Sequence, residues 1–177
     1  MKQIAVAVHS GHVPGLGEKA RLFVEALAKR CPDAVLLVVF LYWGHMVDVV
    51  DAALERGLGV VLFLPLEREE VKTPPGAVVV KTGCEFRCRS VLMIRSADVV
   101  AVLGGGVGTT IEALMAYAMG KPFFVLANVG AASDRLQAAY PDYFDERKAV
   151  KAVYEEDPVR LAELVCAAEK GAVTNFG

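Results

Sequence analysis

Apolar residues in this chain fall in continuous runs instead of alternating with polar ones. Gln3–Val8, Ala34–Tyr42, Val60–Pro65, Ala77–Lys81, Asp98–Leu103 and Pro122–Ala127 are dominated by Val, Ile, Leu and Phe. Runs of this kind are expected of parallel strands covered on both faces. Helical spacing fills the intervals at Glu18–Cys31, His45–Arg56, Cys84–Ser96, Thr109–Met119 and Pro158–Lys170. Asp157-Pro158 is an N-cap followed by proline at the first helical position, and Gly120-Lys121-Pro122 is a helix stop. The stretch Val129–Val150, with Ala, Asp, Tyr and Pro141, reads as a short helix and a surface loop. Alternating strand and helix predict a single α/β domain over residues 1–177, a three-layer Rossmann-like fold with a mostly parallel, doubly wound sheet.

Composition narrows the function. The 177 residues carry 19 basic and 21 acidic side chains, a formal charge of −2, and 55% are apolar. Disorder is excluded, because such a chain offers ample apolar surface to offset the entropy of ordering. A pI near 5.9 argues against a nucleic-acid grip through bulk positive charge. The longest uncharged apolar run, Ala34 to Val47, falls short of the roughly 20 residues of a membrane-spanning helix. The N-terminal run meets His9, Ser10 and Gly11 too soon for a signal peptide. Cys31, Cys84, Cys88 and Cys166 lack the spacing of a disulfide framework, so reduced thiols and a cytoplasmic protein are expected.

Ligands of open α/β sheets bind outside the carboxyl ends of the strands, at the switch in strand order. The segment there with most chemistry is Gly104-Gly105-Gly106-Val107-Gly108-Thr109-Thr110, between a strand and a helix. Its glycines let backbone N–H groups approach an anion, and the helix N-terminus adds positive potential. A phosphate is the expected guest. The spacing is neither G-x-G-x-x-G nor a Walker A loop. Glu112 is the only charged residue between Asp98 and Lys121, on a helix that reads as buried all round. A buried carboxylate is costly unless partnered, and Arg87 or Arg89 is the candidate partner, with Arg95 nearer the opposite edge. His9-x-x-His12 has no carboxylate nearby, and Cys84-x-x-x-Cys88 no second pair, so no metal site is expected. Trp43, at a strand end, is suited either to stacking on a base or to core packing.

Arg89 with Asp98 nine residues on, then Gly105-Gly106-x-Gly108-Thr109-x-x-Glu112, resembles the paired motif of the LONELY GUY family. These are nucleoside 5′-monophosphate phosphoribohydrolases once labelled lysine decarboxylases. Gly104 stands where the family has proline, as in its nucleotide-binding and molybdenum-cofactor-carrier-like relatives. The second-strand turn, Tyr42-Trp43-Gly44-His45-Met46-Val47, keeps a single glycine, and Ser10-Gly11 keeps only the outline of the family's first loop. The resemblance implies catalytic Arg89 and Glu112. It implies a phosphate or nucleotide site of Gly104, Gly105, Gly106, Gly108, Thr109, Thr110, Ser10 and Gly11. The ligand is then a small phosphorylated molecule, with no required cofactor. Its reaction is hydrolysis of the N-glycosidic bond of a nucleoside monophosphate; the alternative is a non-catalytic carrier of a nucleotide or molybdopterin-type cofactor. A DNA-processing module on the same fold is disfavoured by the charge. The apolar helix Thr109–Met119 and the resemblance together imply a homodimer or higher homo-oligomer.

Overall fold

In the computed structural model, which describes residues 1–41 and 43–171, seven strands form one sheet in the order β4-β3-β2-β1-β5-β6-β7, every pair parallel. In chain order these are β1 (Gln3–Val8), α1 (Leu16–Arg30), β2 (Val35–Val39), α2 (His45–Glu55), β3 (Gly59–Leu64), β4 (Val78–Lys81) and α3 (Phe86–Ser96). They are followed by β5 (Val99–Gly104), α4 (Val107–Ala118), β6 (Phe123–Leu126), α5 (Arg135–Ala139), β7 (Val153–Glu155) and α6 (Pro158–Ala167). Tyr42, the expected end of the second strand, lies outside the described residues. The central strands are apolar on both sides because helices cover both faces. Helix α1 packs against α2 and α6, and α3 packs against α4. All six residues of β5 are buried. The edge strand β4 is covered less, with Val78 60% and Val79 39% exposed.

Local signals act where the sequence puts them. Asp157 caps α6, accepting the Val159 N–H at 2.8 Å, with Pro158 at the first turn. Gly120 (φ +63°) ends α4: its N–H reaches the Tyr117 carbonyl and the Lys121 N–H reaches that of Ala116, closing the paired bonds of a glycine C-cap. At the other end of the core, the Lys2 ammonium donates to the carbonyls of Val165, Cys166 and Ala168, a favourable place for a cation at a helix C-terminus.

Two expectations change and one strand is added. Helix α4 is not buried all round: Thr109, Glu112, Ala113, Ala116 and Tyr117 face inward, while Val107 is 73% and Leu114 39% exposed. The stretch 129–150 holds the expected short helix, α5, and a loop; beyond it the chain adds a strand not read from the sequence, β7. Phe144 in the loop stacks on Tyr117 (4.8 Å) and meets Phe123 edge-on (5.2 Å), pinning the connection to the core. The cysteines are paired, not reduced. Cys31 ends α1 and Cys166 lies in α6, and the packing of these helices brings their Cα atoms to 5.9 Å; Cys84 bonds Cys88 across the start of α3.

The Cys31–Cys166 link joins positions 135 residues apart, a long loop whose closure restricts the unfolded chain. Replacing Cys31 with Ser should lower stability by about 2–4 kcal/mol in urea unfolding without reductant. With dithiothreitol present, variant and parent should converge.

Candidate functional site

Strand order reverses between β1 and β5, and the loops leaving these strands diverge there, as expected at a switch point. A cavity of about 350 Å³ opens between them and β2. The glycine loop forms one wall. Gly104 sits at φ +122°, where a side chain would strike Val129 at 2.6 Å. Proline, fixed near φ −65°, cannot take this conformation, which accounts for glycine where the resembling family has proline. Gly105 is locked from behind: its N–H donates to Ser133 Oγ (3.0 Å), its carbonyl accepts the Ser133 N–H (3.0 Å), and a Cβ there would collide with Thr109. Gly106 precedes α4, whose first-turn N–H groups have no helical carbonyl to receive them. Those amides line the cavity through Gly106, Val107, Gly108 and Thr109.

The opposite wall is the loop after β1, clamped by His45. The Val13 N–H donates to His45 Nε2 (2.9 Å), so the ring proton sits on Nδ1 and is donated to Asp48 (2.9 Å). The His45 N–H donates to the His9 carbonyl (3.1 Å). Gly44, at φ +59°, is required because any side chain there would collide with the Ser10 carbonyl. The His9 ring lies between Gly11 and Gly106.

Helix α3 supplies the positive charges and α4 the carboxylate. Glu85 caps it by accepting the N–H groups of Arg87 and Cys88. Arg87, exposed at the rim, brings Nη1 to 3.0 Å from where a Gly108 Cβ would stand. Arg89 is buried and donates through Nη1 to the carbonyls of Phe40 (2.9 Å) and Phe63 (3.3 Å) at the ends of β2 and β3. Burial lowers its pKa to about 10, partly offset by Glu112, which leaves it cationic at neutral pH. Glu112, 4% exposed, accepts the Ser90 hydroxyl at 2.8 Å. Burial raises its pKa to about 7 against an ordinary 4.5, and the Ser90 hydrogen bond and the arginine charges only moderate that rise. Among the described residues Arg89 and Glu112 make no ion pair; they act on one another through space, and Ser90 is the contact partner of the carboxylate.

Of the sequence-derived site residues, Arg89, Glu112, Gly106, Gly108, Thr109 and Ser10 line the cavity. Gly104 and Gly105 shape the loop from behind, and Gly11 packs under His9. Thr110 turns away, its hydroxyl donating to the Gly106 carbonyl (3.0 Å). Ser90 and His9 were not singled out from the sequence as ligand-site residues. Ser90 is adjacent to Arg89 and one helical position from it, which carries no distinctive signal; His9 drew notice only as half of a histidine pair. Among the described residues no cluster of three or more His, Cys, Asp or Glu could hold a metal, and no helix is long and apolar enough to cross a membrane.

Comparisons with known proteins identify the family and the fold. A model of the SLOG cluster4 family matches residues 10–161. The chain belongs to the SLOG cluster4 family. An X-ray structure of TM1055, a structural genomics target, is 32% identical, with a TM-score of 0.78 over 93% of this chain and 100% of that one. The molybdenum cofactor carrier protein of Chlamydomonas reinhardtii shares 19% identity and a TM-score of 0.72, covering 95% of this chain and 100% of its own. The molybdenum cofactor binding protein of the phototrophic bacterium Rippkaea orientalis shares 18% and 0.71, covering 92% and 93%. No curated protein matches in sequence. For this SLOG protein the distant likenesses establish the Rossmann-like fold, and the family match supports the resemblance carried by Arg89, Asp98 and the glycine loop.

The raised pKa of Glu112 makes stability depend on pH. Between about 4.5 and 7 the folded state holds a proton that the unfolded state releases, so stability falls as pH rises through this window and levels off above it. The size is about 3 kcal/mol. Glu112→Gln, neutral throughout, should lose this slope. Urea unfolding at pH 5 and pH 8 should show the variant gaining on the parent only at the higher pH.

Proposed function

We propose that this SLOG protein binds a nucleoside 5′-monophosphate and hydrolyses its N-glycosidic bond. The observation that carries the reading is the position of Glu112: a carboxyl poised near neutrality in a cavity that the open N-terminal amides of its own helix also line. The phosphate lies on the amides of Gly106–Thr109, where the helix dipole favours an anion, and Arg87 reaches it from the rim. The ribose then lies against Glu112. The ionised carboxylate takes a proton from water; the water oxygen bonds to C1′ as the C1′–N bond breaks, and the base leaves with the bonding electrons and is protonated from solvent, to which Glu112 returns its proton. The same negative charge stabilises the cationic character that develops on the sugar. Arg89 holds the ends of β2 and β3 and keeps positive potential over the pocket.

A carrier of a nucleotide or molybdopterin-type cofactor is the second reading. It is favoured by the low-identity likeness to molybdenum cofactor carriers and by Gly104, whose conformation excludes the proline of the hydrolases. Assembly belongs to either reading. The exposed Val107 and Leu114, with half-buried Ile111 between them, border an apolar groove against Leu136 and Tyr140, and we propose that a second copy covers it in a homodimer. Sedimentation at rising concentration should give a dimer, and Leu114→Glu should give monomer.

Incubation with AMP and related monophosphates, followed by chromatography for free base, separates the readings. Hydrolysis should rise with pH through about 7 as Glu112 ionises. Glu112→Gln should cost about 10²–10³ in rate. Arg87→Ala should weaken phosphate binding by about tenfold without altering stability, since Arg87 is exposed. Arg89→Ala should also destabilise the fold, because it removes a buried guanidinium that donates to the Phe40 and Phe63 carbonyls. Gly106→Val leaves the backbone room, the nearest atom to a Cβ being His9 Cε1 at 3.7 Å, so it should block the anion and spare the fold. Tight binding with no release of base, unchanged in Glu112→Gln, makes the protein a carrier.

A further inference from the structure

Beside the phosphate cavity lies a second one of about 480 Å³, sharing Leu41 with it and built from the residues that follow β2 and β3. Two large apolar side chains stand open there: Trp43, 44% exposed, and Leu66, 60% exposed. The Arg68 guanidinium lies over the Trp43 ring at 5.5 Å. Three carboxylates line the same wall, and two are spent. Glu69 accepts the Gly83 N–H (3.1 Å), and Glu70 pairs with Lys81 (2.9 Å). Glu67 has no hydrogen bond or ion pair among the described residues, and its charge is felt by Arg89 across the boundary of the two cavities.

We propose that this cavity holds the heterocycle of the ligand and selects a ring with a 2-amino-4-oxo pyrimidine edge, the edge shared by guanine and the pterins. The proposal rests on the phosphate site argued above, since a ligand anchored there passes Leu41 to reach Trp43. Trp43 supplies a stacking face, which any base accepts. Glu67 supplies discrimination. A carboxylate only accepts, and can take two parallel N–H bonds. Guanine and pterin present two adjacent donors, a ring N–H and the 2-amino group. Adenine presents one donor beside a ring-nitrogen acceptor whose lone pair faces the carboxylate. Arg68 complements the pairing, because its donors match the exocyclic carbonyl oxygen next to the ring N–H. The three contacts thus read one edge and one face, and the phosphate pocket reads none of them.

Trp43 is the sole tryptophan in the chain, so its fluorescence reports this cavity directly. Titration of the full-length protein with GMP, with a pterin monophosphate, with AMP and with ribose 5-phosphate, by fluorescence and calorimetry, tests the proposal. GMP or the pterin phosphate should quench Trp43 and bind about tenfold or more tighter than AMP; whichever of the two is tighter identifies the source of the edge. In Glu67→Gln that preference should collapse to within about twofold. In Trp43→Leu the favoured ligand should lose about tenfold in affinity. Equal affinity for AMP, or bound GMP that leaves Trp43 emission unmoved, overturns the heterocycle assignment, and ribose 5-phosphate binding then shows that the phosphate site stands without it. Failure of ribose 5-phosphate and of every nucleotide to bind overturns both.

Discussion

Strands β1 and β5 lie side by side from Ile4 opposite Val99 to Val8 opposite Gly104, with a slip in register after Ala7. The His9 N–H closes the pair on the Gly104 carbonyl. From this one seam the chain leaves in two directions, into α1 by the His9–Gly15 loop and into α4 by the glycine loop. The slip lets both loops start level, so the first turn of α4 and the turn after β1 face one another across an opening. Everything chemical in the molecule is hung around that opening. The remaining connections serve it: Ser133 holds the back of Gly105, His45 holds Val13 and His9, and Arg89 ties the ends of β2 and β3.

The charges of the site are maintained against a cost. Glu112 and Arg89 are both buried, yet neither has the other as a direct partner. Arg89 spends its hydrogen bonds on strand carbonyls, which stabilise the guanidinium without neutralising it. Glu112 has one hydroxyl and the diffuse field of two arginines, too little to return its pKa to the ordinary range. A tight ion pair would have done so, and would have left an inert carboxylate. The separation keeps a proton exchangeable near neutral pH at the bottom of a polar cavity.

Much of this was legible in the chain because it depends on local rules. Continuous apolar runs announced the parallel strands, Asp157-Pro158 and Gly120 marked helix ends, and a lone Glu112 behind four glycines pointed to the cavity that the candidate site occupies. What stayed hidden depends on tertiary placement. Strand β7 is three residues, Val-Tyr-Glu, too short to carry a period. Its Tyr154 hydroxyl, donating to the Tyr140 carbonyl (2.7 Å), organises a segment that composition alone reads as loop. Cys31 and Cys166 show no common spacing until α1 and α6 pack. Arg87 and Arg89 differ by two positions on one helix, and only the fold decides that the first meets the glycine loop while the second is buried beneath the sheet's edge.

The sheet ends in two unpaired borders, β4 with four residues and β7 with three. The β4 border is the more exposed, with Val78 and Val79 open to solvent. A longer valine strand in that place would be a template on which another chain could build, as in edge-to-edge aggregation. Brevity is part of the defence, and charge the rest: the strand ends on Lys81, whose ammonium is held by Glu70. Stretching or neutralising this border would therefore convert a well-folded nucleotide-type fold into one that polymerises through its own sheet.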